Sequence, residues 1–336
     1  MTYRHIKNSL LSVLPLAAMS LFFSCTGGGG HTGPEVSNTS GIATLVCDAS
    51  FENIMKQEID VFEYIYPKAS IMAQYADQKA CIDSMLDQKT SLIVITRPFN
   101  DKEISYMKSK NRTVRQSMIA VDALALIVNP ENSLNVISKP EIAEILSGKI
   151  TDWNQVEVGN DHLGKIEVVF DHQGSSTVQY MRDSLLNGAE FGSNVFAQNS
   201  PEAVFEAVRK NKNAIGVIGV SWISSDMQTK DLSREDFAKN IQENDTTTID
   251  QQFDSSVKVL KVRGNNEVTA YKPYQYYIFT GEYPLFRQIY MISTSVPGTP
   301  GHGFYSFVTG PQGQKIIQTT GVLPKVVKPS TNVEVK

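Results

Sequence analysis

The chain has 336 residues, with 31 Lys and Arg against 35 Asp and Glu, and its formal net charge is −4 at pH 7. A mildly acidic chain without a basic tract argues against nucleic-acid binding. Its five histidines show no metal-ligand spacing, so neither a metal nor a cofactor is expected. The length exceeds what one hydrophobic core usually holds, which predicts two lobes.

The amino terminus has the pattern of a secretory signal. Arg4 and Lys7 precede an apolar run, residues 10–23, that is too short to span a membrane. The segment from Leu21 to Cys25 resembles the lipobox of bacterial lipoproteins, in which the cysteine becomes the lipidated first residue. An ordinary secretory signal is the alternative. We therefore predict a signal peptide over residues 1–24, a Gly-rich flexible tether over 25–40, and a lipid anchor at Cys25 that holds the protein to a membrane of the cell envelope, in the periplasm.

Strands and helices alternate at the start of the mature chain. The apolar residues predict strands over 42–47, 70–75 and 91–95, with helices between them that are ended by Pro67 and near Gln88. A β-α-β-α-β order predicts a parallel sheet, and such sheets bind ligands beyond the carboxyl ends of their strands. Ser50, Thr96 and Arg97 stand at such ends.

Cys47 and Cys81 are the cysteines that remain once Cys25 is assigned to the anchor. Outside the cytoplasm they can form a disulfide bond. Because both lie among apolar residues, two separately buried thiols are the alternative.

The second part of the chain contains the clearest binding pattern. A strand over 166–170 is followed by a turn and by a helix that runs from about Val178 and ends near Gly188. Ser175, Ser176 and Thr177 stand at the N-terminus of this helix, where unpaired amides and the helix dipole favour an anion. The alternative is that Ser175 or Thr177 only caps the helix.

The remaining elements are read in the same way. Further strands are predicted over residues 121–128, 214–220 and 288–293, and further helices begin at Pro140 and at Ser200-Pro201. The polar residues 224–256 are predicted to be a surface excursion, and one last helix is predicted over residues 304–318.

Six segments in fixed order carry a resemblance to a known family. They are residues 122–129 (DALALIVN), 140–153 (PEIAEILSGKITDW), 174–177 (GSST), 214–219 (AIGVIG), 283–287 (YPLFR) and 313–324 (GQKII…GVLP). Together they resemble the phosphate-binding proteins of bacterial ABC importers, over about residues 42–325. The resemblance implies an α/β, two-lobed periplasmic-binding-protein fold of type II, with two crossovers and mostly parallel sheets flanked by helices. Lobe one would be residues 41–122 plus 284–336, and lobe two residues 123–283.

The same resemblance implies a function. The chain would be a binding protein and not an enzyme. It would capture inorganic phosphate in a cleft between the lobes and deliver it to an ABC permease in the inner membrane. Ligand contacts would come from Ser50, the amide of Phe51, Thr96, Ser175, Ser176 and Thr177, with Ser176 standing where the family has glycine.

Two charged residues depart from the family pattern. The family often has an aspartate directly after the position of Thr96 and an arginine four residues before the position of Ser175, whereas this chain has Arg97 and Asp171 there. Arginine donates to phosphate oxygens, and aspartate accepts from a protonated phosphate while repelling sulfate. We therefore expect both residues at the ligand, where they can also pair with each other. The alternatives are a surface arginine and a turn-forming aspartate.

Two other functions remain open from the sequence. The chain can instead bind another oxyanion, such as sulfate or molybdate, or act as a sensor without transport. A phosphate-ester hydrolase built on Asp171, His172 and Ser175 is disfavoured, because neighbours in one turn rarely reach triad geometry and the Gly-x-Ser-x-Gly pattern is absent.

Overall fold

The computed structural model describes residues 36–156, 163–227, 229–243 and 250–326. The predicted signal peptide, Cys25 and most of the predicted tether lie outside the described residues. Within these ranges, no helix combines the length and the apolar character needed to cross a bilayer.

The first part of the chain alternates strands and helices as the sequence predicts, with one helix that the sequence does not predict (α3). In order, the elements are β1 Ser40–Asp48, α1 Glu52–Ile65, β2 Lys68–Ala76, α2 Gln78–Leu86, β3 Leu92–Ile95, α3 Asp101–Ser109, β4 Arg115–Val128, β5 Val136–Ser138 and α4 Lys139–Leu146.

The middle part contains the predicted binding helix. Its elements are β6 Glu167–Phe170, α5 Ser176–Leu185, β7 Val195–Ala197, α6 Pro201–Lys210, β8 Ala214–Gly219, α7 Val220–Ile223, β9 Ser224–Asp226, α8 Arg234–Glu243 and β10 Gln251–Phe253.

The last part returns the chain to the first strands. Its elements are β11 Lys258–Val259, β12 Lys261–Arg263, β13 Ala270–Tyr271, α9 Gln275–Phe279, β14 Phe286–Ser293, α10 Pro300–Thr309, α11 Pro311–Thr319 and β15 Leu323–Pro324.

Local signals place the helix boundaries. The Ser138 hydroxyl accepts from the amide of Glu141 and the Glu141 carboxylate accepts from the amide of Ser138, which is a capping box at the start of α4. Ser200 caps α6 and Pro201 is its first residue, as predicted. Helix α1 buries one apolar face and ends directly before Tyr66 and Pro67.

A ten-stranded sheet organises the molecule, in the order β2-β1-β3-β14-β4-β8-β6-β7, with β11 and β15 also paired to β4. Strand β1 pairs in parallel with both β2 and β3, which confirms the predicted parallel β-α-β-α-β unit. Two small sheets, β10-β9 and β13-β12-β5, lie outside it. We call β2, β1, β3 and β14 the first half of the large sheet, and β8, β6 and β7 the second half.

Strand β4 is shared by the two halves. Its residues 115–123 pair with β14, and its residues 124–128 pair with β8. One continuous strand therefore connects the two halves. Its pairing changes from β14 to β8 between Ala123 and Leu124. We call this place the junction.

Two expectations are corrected by the structure, and the question that the sequence left open for Cys47 and Cys81 is answered. Residues 224–256 are not all a surface excursion, because α8 lies there and buries Ala238 and Ile241 in the core. The predicted last helix is two helices, separated at Gly310 by an extended residue before Pro311. Cys47 and Cys81 form no disulfide bond and are separately buried thiols, whose pKa values burial raises.

Candidate functional site

The carboxyl ends of strands from both halves of the sheet point toward the junction. Strand β8 runs antiparallel to β4 and ends at Gly219, opposite Leu124, and β6 runs parallel to β8. Strand β3 runs in the direction of β4, because both are antiparallel to β14, and β1 is parallel to β3. The loops after β1 and β3, from the first half, and the loop after β6, from the second half, are thus directed toward the junction. Loops at the carboxyl ends of strands form the usual binding region of open α/β sheets.

Hydroxyl groups from both halves converge there on one carboxylate. The Asp171 Oδ2 atom accepts a hydrogen bond from Ser50 Oγ at 3.2 Å, and Oδ1 accepts from Ser175 Oγ at 2.6 Å. Ser50 Oγ also lies 3.4 Å from Thr177 Oγ1. All four side chains are buried, with at most 3% of each residue exposed. We call Ser50, Asp171, Ser175 and Thr177 the hydroxyl cluster.

The hydroxyl cluster lies at the N-terminus of α5. Ser175 Oγ accepts from the amide of Val178 at 3.2 Å, so Ser175 is the N-cap, and Ser176 and Thr177 form the buried first turn. The helix begins two residues earlier than predicted, because Ser176 and Thr177 are helical and do not precede the helix. The N-cap role and a role in anion binding are compatible, because one capped amide leaves other first-turn amides unpaired within the helix.

A buried ion pair lies beside the hydroxyl cluster. Arg287 of β14 and Asp122 of β4 are directly opposite in the sheet register. Arg287 donates to Asp122 Oδ2 from Nε at 3.1 Å and from Nη2 at 3.0 Å, and to Ser176 Oγ from Nη1 at 2.8 Å. Its guanidinium carbon lies 4.7 Å from the centre of the Phe51 ring. Burial raises the pKa of Asp122, and the charge and hydrogen bonds of Arg287 oppose that shift by a smaller amount.

Asp48, the last residue of β1, lies in the same buried region. Its Oδ1 atom accepts from the amide of Ser50 at 3.0 Å, whereas Oδ2 has no hydrogen-bond partner among the described residues. Burial raises the pKa of Asp48, and the charge of Arg287, the amide of Ser50 and the hydroxyls of Ser176 and Ser50 oppose that shift by a smaller amount. The residue is fully buried.

Thr96 is linked to α5 through Gln78. The amide of Thr96 donates to Gln78 Oε1 at 2.7 Å and its hydroxyl donates to the same oxygen, while Gln78 Nε2 donates to Gln179 Oε1 of α5 at 3.0 Å. The adjacent Asp77 faces His172, with 2.8 Å between Asp77 Oδ1 and the imidazole Nε2. The loops after β2, β3 and β6 therefore approach one another around the hydroxyl cluster.

Arg97 is engaged elsewhere. Its guanidinium forms two hydrogen bonds with the Glu103 carboxylate of α3, at 2.7 and 2.8 Å, and the Arg97 side chain is 40% exposed. The hydrogen bond from Arg97 lowers the pKa of Glu103. The expected pairing of Arg97 with Asp171 is therefore corrected, because Glu103 offers a bidentate partner six residues away while Asp171 accepts from Ser50 and Ser175. A contact between Arg97 and the ligand stays a prediction.

Asp48, Gln78, Asp122 and Arg287 are not among the residues that the sequence predicts for the site. A signal for two of them is present, since Asp122 and Arg287 are opposite charges inside apolar strand patterns, and buried charges require partners. Asp48 is the last residue of β1 and Gln78 is the first residue of α2. Polar residues are common at such ends of elements, so the sequence does not distinguish these two from ordinary turn residues.

Comparison with known proteins gives consistent results. A family model described as the PBP superfamily domain matches residues 32–312. The phosphate-binding protein PstS of Pseudomonas aeruginosa is 20% identical over 312 residues, which cover 88% of this chain and 87% of that protein. The protein of the same name from Staphylococcus aureus is 25% identical over 230 residues, with 68% of each covered.

Solved structures show the same fold. A putative phosphate ABC transporter substrate-binding protein with bound phosphate from Clostridium perfringens has a TM-score of 0.65 and 20% identity, covering 86% of this chain and 100% of that chain. An ABC-type phosphate transport receptor from Vibrio cholerae has a TM-score of 0.59 and 19% identity, covering 84% and 100%. The predicted fold class, the two-lobed α/β fold of periplasmic binding proteins, is confirmed.

Proposed function

Because the chain belongs to the PBP superfamily, we propose that it binds one inorganic phosphate reversibly at the junction and delivers it to an ABC permease. The convergence of hydroxyl groups from both halves of the sheet at the N-terminus of α5 is the observation that carries this proposal. Relatives named as phosphate-binding proteins, of which this chain covers up to 87% of the length, support the same ligand.

The chemistry of the site suits a small oxyanion. Hydroxyls and helix N-terminal amides are neutral donors, and they bind an anion without the flexibility of long basic side chains. We assign ligand contacts to Ser50, the amide of Phe51, Thr96, Asp171 and the three residues 175–177. Arg97 would join them by exchanging its ion pair with Glu103 for the ligand. The two sheet halves would close on the ligand as lobes 41–122 plus 284–336 and 123–283.

Catalysis is disfavoured by the same contacts. In a triad built on Asp171, His172 and Ser175, the serine would need the histidine within hydrogen-bonding reach as its base. The Ser175 hydroxyl instead donates to Asp171, and the His172 Nε2 atom faces Asp77. We therefore propose a binding protein that does not turn over its ligand.

The location follows from the amino terminus. Lipidation of Cys25 would anchor the protein to a membrane of the cell envelope, and the Gly-rich segment after it would let the binding domain reach the permease in the inner membrane. The sequence contains no basic tract that would favour nucleic acid as a further partner.

Calorimetry on the purified full-length protein in detergent tests the proposal, after bound phosphate has been removed by unfolding, dialysis and refolding. We expect one phosphate per chain and weaker binding of sulfate and molybdate. Tighter binding of sulfate or molybdate would identify another oxyanion as the ligand. Sustained release of phosphate from an ester by clean protein would instead identify an enzyme.

A further inference from the structure

Two adjacent contacts join the start of α2, in the first half of the sheet, to the turn after β6 and to α5, in the second half. The Asp77 Oδ1 atom lies 2.8 Å from the imidazole Nε2 atom of His172. The next residue, Gln78, donates from Nε2 to Gln179 Oε1 of α5 at 3.0 Å. Asp77 is the N-cap residue of α2, and His172 belongs to the turn that precedes α5. We call Asp77 and His172 the rim pair.

The rim pair connects the hydroxyl cluster to solvent. The Asp77 side chain is 47% exposed and the His172 side chain 22%, whereas His172 Nδ1 lies 3.7 Å from Oδ2 of Asp171, a buried member of the hydroxyl cluster. Gly174 allows the two loops to approach, because a Cβ atom at this position would overlap with the Asp77 carboxylate. The turn after β6 is thus shaped to accept a carboxylate from the other half of the sheet.

Other contacts between the segments after β1 and β8 are made by neutral groups. Trp222 Nε1 donates to the Ser50 carbonyl at 2.8 Å, and Asn53 Nδ2 donates to the Ser221 carbonyl at 2.6 Å. The charge of these groups does not depend on pH, whereas a histidine ordinarily changes its charge between about pH 5 and pH 8. A neutral imidazole can donate one hydrogen bond to Asp77, and a protonated imidazole adds an ion pair to that hydrogen bond.

Carboxylates face both ring nitrogens of His172. Asp77 approaches Nε2 from α2, and Asp171 approaches Nδ1 from the same turn as the histidine. The cations of the neighbouring elements are paired with other carboxylates: Lys79 of α2 with Asp83, Arg97 after β3 with Glu103, and Arg287 of β14 with Asp122. A positive charge on the imidazole would therefore be attracted by Asp77 across the two halves and by Asp171 within one turn.

We propose that the rim pair is a proton-sensitive latch, in which protonation of His172 strengthens its contact with Asp77 and holds the two halves together around bound phosphate. This inference rests on the proposed function and adds control of ligand release to it. Separation of the halves would break the contact with Asp77 but would leave the contact with Asp171, which lies within one turn. Protonation of His172 therefore stabilises the closed arrangement relative to an open one. Phosphate release should slow as the pH falls.

The rate of phosphate release tests the latch, because a contact made in the closed arrangement acts on release more than on association. Radiolabelled phosphate is chased from the full-length protein in detergent by excess unlabelled phosphate, at about pH 5.5 and about pH 8. Phosphate changes its own protonation over this range, so each variant is compared with the parent at the same pH. His172→Gln keeps a neutral donor that cannot gain a proton, and Asp77→Asn removes the anion. His302→Gln is the matched control, since it changes another half-buried histidine, on α10 beside Arg115.

We expect His172→Gln and Asp77→Asn to release phosphate about twofold to fivefold faster than the parent at the acidic pH, the effect of one partly exposed ion pair. At the alkaline pH the difference from the parent should fall below about twofold. The double variant should release phosphate as fast as the single variants and no faster, because both changes break the same contact. His302→Gln should behave as the parent does at both pH values. Each of the two substitutions removes the contact from one side, so either one tests the latch if the other does not fold.

Several results would overturn the latch and leave the proposed function intact. One is a His172→Gln variant that releases phosphate like the parent at both pH values, which would make His172 a turn residue. Another is an Asp77→Asn variant that keeps the response of the parent to pH, since the imidazole would then act on the anion without Asp77. Equal acceleration by His302→Gln would show a general effect of losing a histidine. A parent that binds no phosphate at either pH would refute the proposed function, and the latch with it.

Discussion

Breaking the ion pair between Arg287 and Asp122 is expected to cause the largest loss of stability among the changes considered. Arg287→Met keeps a long unbranched side chain but removes the cation, and Asp122 is then left fully buried without its partner. Three hydrogen bonds are lost, two to Asp122 and one to Ser176. Removing one member of a buried pair typically costs about 3–5 kcal/mol. We expect a loss of this size in the free energy of unfolding, without phosphate present.

Urea unfolding at neutral pH, followed by the fluorescence of Trp153 and Trp222, measures this loss. The control is Arg97→Met, which breaks the Arg97–Glu103 pair at the surface. Because the Arg97 side chain is 40% exposed, solvent screening limits the expected loss to about 0.2–1 kcal/mol.

The double variant Arg287→Met with Asp122→Asn should recover most of the loss, since no uncompensated charge then remains. The reasoning is refuted if Arg287→Met lies within about 1 kcal/mol of the parent, the range of an exposed pair. It is also refuted if the double variant is less stable than Arg287→Met, because the cost would then come from packing and not from the orphaned carboxylate.

Three further predictions concern other parts of the chain. Burial raises the pKa of Glu58, whose two oxygens have no partner among the described residues, so the folded state binds its proton more tightly and stability falls as the pH rises through that raised pKa. Glu58→Gln should remove this fall, at most about 1.4 kcal/mol per pH unit, in urea titrations between pH 4 and pH 8; an unchanged profile contradicts it. Ser175→Ala removes the cap of α5 and a donor to Asp171, and should cost about 1–2 kcal/mol and weaken phosphate binding, whereas an effect on stability alone would make Ser175 a cap and nothing more. Cys25→Ala should release the protein from the membrane fraction or leave its signal uncleaved, and unchanged lipid labelling would disprove the anchor.

The sequence by itself determined the local elements of this protein. The parallel strands of the first half, the cap and first proline of α6, and the strand–turn–helix unit at β6 and α5 were all predictable, because periodicity, caps and helix-stopping prolines act over a few residues. The short helix α3 was not predicted, and α8 was mistaken for loop, because its mostly polar sequence buries only Ala238 and Ile241. One helix was predicted where α10 and α11 meet, since the apolar pattern continues past Gly310.

The tertiary structure alone decided which charges meet. The register of β14 against β4 sets Arg287 opposite Asp122, and tertiary packing brings Asp48 and the start of α5 beside them, although these residues come from four separate segments. Arg97 is the opposite case, because it pairs with Glu103, a carboxylate close in sequence, and not with the distant Asp171. The ends of strands and the starts of helices are local properties, so they could be predicted from the sequence. The partners of buried charges depend on strand register, which no short stretch of sequence encodes.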